Sequence, residues 1–64
     1  MITVGHETNG HAGGFSANGE KTLIWCLPCA FIRQYPDFND AIEALARHMS
    51  CSRSELEREA RAVA

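Results

Sequence analysis

Cys26 and Cys29 are separated by two residues, and so are His48 and Cys51. Two such pairs have the ligand types and the spacing of a structural zinc site, in which thiolate and imidazole close a tetrahedron around the ion. A metal held there supplies folding free energy that a small core lacks. Two of the four residues also have plainer roles. Cys51 fits as a buried residue in a turn between helices, and His48 as a side chain near a helix end, where positive charge is favourable. The expectation is therefore no cofactor, with structural zinc at Cys26, Cys29, His48 and Cys51 as the alternative. His6 and His11 lie in a glycine-rich stretch, where histidines without fixed neighbours are solvated, and they are assigned no role. No Ser-His-Asp arrangement, P-loop or paired-carboxylate pocket is present in the pattern, so the chain is not expected to be an enzyme.

The run Trp25-Cys26-Leu27-Pro28-Cys29 resembles the Trp-Cys-x-Pro-Cys motif of thioredoxin-like proteins, in which a helix N-terminus activates the first thiolate. That fold needs a strand-helix-strand framework ahead of the motif and a sheet after it. Neither fits the surrounding residues, and redox catalysis is not expected.

Whatever these residues do, a scaffold of 64 residues must hold them. A domain of that size buries only about 60% of the surface its unfolded chain exposes. Disulfides, a metal or a second copy must supplement the core, and the three cysteines cannot form a complete internal disulfide framework. Dimerisation is expected. Six Lys and Arg against eight Asp and Glu give a formal net charge of -2, so only a local basic face could attract a phosphate backbone. No segment has signal-peptide character or approaches the roughly 20 apolar residues that cross a bilayer, and the expected location is cytoplasmic, away from membranes.

All five glycines fall between positions 5 and 19, together with two Asn-Gly pairs, Asn9-Gly10 and Asn18-Gly19. Such a stretch reads as a loop or flexible arm. Ile2 to Val4 and Lys21 to Trp25, rich in β-branched and aromatic residues, flank it and would pair as a small hairpin. The short segment Cys29 to Tyr35, between Pro28 and Pro36, fits a two-turn helix or a strand; helix is the preferred reading, with Pro28 in its first turn.

Further on, Phe38, Ala41, Ile42, Leu45, Ala46 and Met49 recur at helical spacing, with Asp37 or Asn39 to cap the helix. Ser52-Arg53-Ser54-Glu55 is a capping box, and Cys51 and Leu56 occupy the flanking hydrophobic-staple positions. The last helix carries a thin apolar stripe of Leu56, Ala60 and Val63. The expected fold class is therefore mainly α. One small domain comprises a glycine-rich arm or short β-hairpin over residues 1–29 and a helical helix-turn-helix-like unit over residues 30–64.

Two helices joined by Ser50-Cys51-Ser52 match the layout of a helix-turn-helix, with Ala46 as the small residue and Ile42, Leu45, Met49, Cys51 and Leu56 at the apolar positions. Residues 30–61 resemble a helix-turn-helix subdomain of AraC-type transcription regulators. The resemblance implies a supporting helix over Ala30 to Tyr35. It also implies a recognition helix from Arg53 onward, with Arg53, Ser54, Glu57, Arg58 and Arg61 facing DNA. The run from Ser52 to Ala60 also resembles the second helix of ribbon-helix-helix repressors, which would make residues 31–35 a strand paired with its twin, with Phe31, Arg33 and Tyr35 reading bases. The expected function is a small dimeric DNA-binding regulator. The alternative is a protein-binding adaptor or inhibitor, with zinc as a possible staple, that uses the helices and the apolar segment Leu23 to Tyr35.

Overall fold

The computed structural model describes residues 2–63. Four strands come first: β1 (Ile2–Thr8), β2 (His11–Ala17), β3 (Thr22–Cys26) and β4 (Phe31–Tyr35), followed by α1 (Phe38–Met49) and α2 (Arg53–Val63). The strands form one antiparallel sheet in the order β1-β2-β3-β4, and both helices pack on one face of it. This corrects the mainly α expectation: the chain is a two-layer α/β unit, and its N-terminal half is sheet rather than arm.

The glycine-rich stretch is strand because its glycines do two separate jobs. At Asn9-Gly10 both residues take positive φ, 50° and 81°, the two-residue turn whose twist matches a hairpin. Thr8 is thereby set opposite His11, and the pairing continues to Ile2 opposite Ala17. Within β2, Gly14 lies beneath the Trp25 indole. A Cβ there would come within 2.8 Å of Trp25 Cζ2 and 2.1 Å of the Val4 carbonyl oxygen, so close backbone approach requires glycine.

The segment preferred as a helix is β4. Five residues are too few for periodicity to decide. Phe31, Ile32 and Tyr35 suit a pleated surface, and β3 supplies a partner in register from Thr22↔Tyr35 to Cys26↔Phe31. Pro28 sits in the turn between the strands, not in a first helical turn. β4 is one edge of the sheet, and at its centre the Arg33 guanidinium lies 5.0 Å from the centroid of the Phe31 ring.

The two helices behave as their patterns require. Asp37 caps α1 by accepting from the Asp40 amide, and Ser50 closes it in the left-handed region at φ 55°. The Ser52 hydroxyl accepts from the Glu55 amide and so caps α2. Val4, Phe15 and Ile24 from the sheet meet Ala41, Ile42, Leu45, Ala46 and Met49 from α1 and Leu56 from α2 in one core. Ala60 is partly buried against it; the Val63 side chain, expected on the same stripe, lies outside the described residues. The far face of the sheet is bare, with Leu23 and Trp25 half-buried and Ile32 exposed, while Leu27 projects from the β3–β4 turn. Among the described residues, no helix is long and apolar enough to cross a membrane.

Candidate metal centre

At one end of the sheet the chain gathers four metal-binding side chains. Cys26 closes β3 with its side chain on the core face, buried to 1% exposure. The next four residues reverse the chain: the Leu27 amide donates to the Ala12 carbonyl, and the Ala30 amide to the Leu27 carbonyl. Ala30 takes φ 50° in this turn, a conformation costing a non-glycine residue roughly 1–2 kcal/mol. Backbone strain of this kind concentrates at functional sites, and here it curls Cys29 back beside Cys26.

β2 brings the third side chain. The register pairs Gly13 with Cys26, and alternation puts His11, two residues earlier, on the same face as Gly13 and Phe15. His11 Nδ1 lies 3.4 Å from Cys26 Sγ and 3.6 Å from Cys29 Sγ. α1 supplies the fourth, His48, in its last turn. The Phe31 ring stacks on its imidazole at 4.2 Å between centroids and 13° between planes, and so fixes the ring's orientation.

One donor atom from each of His11, Cys26, Cys29 and His48 lies within 4.8 Å of all the others. Zinc bound at about 2.3 Å to sulfur and about 2.0 Å to nitrogen separates its tetrahedral ligands by about 3.5 Å between S and N. The two sulfur–nitrogen distances measured here straddle that value. His48 Nε2 is buried and has no hydrogen-bond partner among the described residues. A buried polar atom left unpaired costs about 1–3 kcal/mol, and a metal ion would satisfy it.

Electrostatics points the same way. The Cys29 thiol is raised above its ordinary value by its hydrogen bond with Cys26, by burial and by the Cys26 charge. Two adjacent sulfurs resist joint ionisation until a cation sits between them, whereupon both deprotonate.

Of the four residues expected at a metal site, Cys26, Cys29 and His48 converge and Cys51 does not. Cys51 packs partly against the core at the α1–α2 turn, beside His6 and Glu55. Its thiol is raised first by burial and then by the Glu55 carboxylate. His11 takes the fourth place. Its signal was the Asn9-Gly10 turn, which fixes the phase of β2 and so puts His11 on the core face.

The residues expected to meet DNA divide into two groups. Arg53 Nε donates to Glu57 Oε1 at 2.6 Å, and Arg53 also reaches the Asn39 side chain and lies 3.8 Å from Glu43. Ser54, Arg58 and Arg61 are exposed along α2. Ala30 to Tyr35, expected as a supporting helix, is turn and strand; β4 pairs with β3, and Phe31 and Tyr35 pack against the core. Compared with known proteins, the chain matches no family model, no curated protein and no solved structure.

Proposed function

We propose that the protein is a small zinc-stapled binding module, with the metal held by His11, Cys26, Cys29 and His48. The convergence of a donor atom from each of these four residues carries this reading, and His48 adds a buried, unpartnered ring nitrogen. The ligands come from the start of β2, the end of β3, the β3–β4 turn and the end of α1. One ion therefore ties the sheet to its main helix, in a chain too small to rely on its core. Native mass spectrometry of the purified protein tests this: the expected result is a bound zinc that Cys26→Ser and His11→Ala remove. Full-length chains that stay metal-free in excess zinc would overturn it.

The surface this module offers is the bare face of the sheet. Leu23, Trp25, Ile32 and the neighbouring Leu27 give it an apolar patch, which strand alternation flanks with Thr3, Glu7, Ser16 and Gln34. An apolar face of this kind suits a protein partner and gives nucleic acid little to hold. Measured mass decides between a second copy of this chain and a different protein. A dimer that Ile32→Lys splits would mean the former.

DNA binding by α2 is the second reading, favoured by the exposed stripe of Ser54, Arg58 and Arg61 at i, i+4 and i+7. Arg53 and Glu57 contribute less to it, because they are engaged with each other. Fluorescence anisotropy with labelled duplex at low and physiological salt tests it. Saturable binding that weakens with salt and is lost in Arg58→Ala would favour the regulator over the adaptor.

A further inference from the structure

A second set of donors lies away from the first centre, where α2 meets the sheet. His6 from β1, Cys51 from the α1–α2 turn and Glu55 from the first turn of α2 place one donor atom each within 4.8 Å of the other two. His6 Nε2 is 3.0 Å from Glu55 Oε2. On the other side of the ring, Glu59 Oε1 lies 3.8 Å from His6 Nδ1. The imidazole itself is 14% exposed.

We propose that this is a second metal site, in which His6 Nε2, Cys51 Sγ and the Glu55 carboxylate bind a divalent ion of borderline softness, zinc foremost. Nitrogen, thiolate and carboxylate together select zinc over the hard ions magnesium and calcium, which take oxygen ligands. Three protein ligands also leave a coordination position free, as in zinc sites that keep a water. An open cleft lined by Gly5, His6 and Glu59 among others borders the imidazole on its Glu59 side; Cys51 and Glu55 do not line it.

Glu59 places a second carboxylate on the far side of the His6 ring. A metal-binding histidine donates its other ring N–H to a carboxylate or carbonyl, which fixes its tautomer and orientation. With the ion on Nε2, Glu59 stands on the Nδ1 side, one helical turn beyond the ligand Glu55. An ion pair alone would account for His6 and its two carboxylates. Such a pair on a partly exposed surface stabilises little, and the Cys51 thiol, which also packs partly against the core, has no part in it.

The ligand origins say what the ion would do. Among the described residues, α2 has a single fully buried side chain, Leu56. An ion shared by β1, the interhelical turn and α2 would clamp this helix to the edge of the sheet. The two sites differ in composition, two thiolates against one, so the second is expected to bind more weakly.

Zinc titration against a chromophoric chelator, with full-length wild type and Cys51→Ser in parallel, tests the proposal. The expected stoichiometry is two ions per chain for wild type and one for Cys51→Ser. One ion in both proteins would overturn the second site. One ion in wild type and none in Cys51→Ser would leave the second site standing and remove the first. Cobalt(II) added to wild type already carrying one zinc should give a thiolate-to-metal charge-transfer band that Cys51→Ser lacks. Glu59→Gln, which spares every ligand, should weaken the second ion about 10-fold or more and leave the first unchanged. Equal affinity in Glu59→Gln would overturn the role given to that carboxylate.

Discussion

The two helices lie on the same sheet but are held there by different means. α1 spans β2, β3 and β4 and buries five side chains, Ala41, Ile42, Leu45, Ala46 and Met49. α2 packs chiefly on β1 and, among the described residues, fully buries one, Leu56. Its remaining ties are polar: His6 of β1 to Glu55, Arg53 to Glu43 and Asn39 of α1, and the Asn9 side chain donating to the Met49 and Ser50 carbonyls just before α2 begins. A broad apolar face positions an element without further help, while a thin one needs specific polar or metal contacts.

The largest test of that contrast is removal of the metal from the proposed first centre. Structural zinc in small domains is worth on the order of 10 kcal/mol in apparent binding free energy. Chelation should therefore abolish cooperative thermal unfolding or lower the midpoint sharply, and Cys29→Ser should do the same. The pH dependence should reverse with metal state. In the metal-free fold the Cys29 thiol is raised above its ordinary 9.0, so the fold is favoured below that pH and loses stability as pH climbs through the raised value. The loaded protein needs thiolates, and should instead lose metal and stability as pH falls. Thermal melts should therefore show the metal-free protein losing stability as pH rises past about 9, and the loaded protein losing it as pH falls.

Leu45→Ala and Leu56→Ala come next, each expected to cost about 2–5 kcal/mol where its helix is folded. They should differ in reach. Hydrogen exchange should show global loss of protection in Leu45→Ala but, in Leu56→Ala, faster exchange confined to α2. Equal loss across both helices would mean that they unfold as one unit. Ser52→Ala removes the cap of α2 and should cost about 1 kcal/mol by denaturant melt. The smallest effect is a gain. Ser50→Gly relieves the left-handed backbone at the end of α1 and should raise stability by about 0.5–1 kcal/mol.

The helices were legible because their signals are local. The stripe from Phe38 to Met49 and the capping box at Ser52 need no knowledge of the rest of the chain. Ile2 to Val4 and Lys21 to Trp25 were legible as strands, but they do not pair with each other: both pair with β2, which was not legible because Gly13 and Gly14 look like loop until Trp25 and the β1 backbone are known to lie against them. β4 was ambiguous at five residues, and only its register with β3 decides it. The candidate metal centre divides along the same line. Cys26 and Cys29 carry local spacing, but His48 was paired in sequence with Cys51, which faces a different part of the fold, and His11 joins the centre through strand pairing.

The exposed side of β4 has its own consequence. A five-residue edge strand leaves backbone donors and acceptors free to recruit another strand. Two copies pairing antiparallel about the centre of β4 would set Arg33 against Arg33, and like charges directly opposite are destabilising. Arg33 thus disfavours that one antiparallel pairing of two copies at the β4 edge.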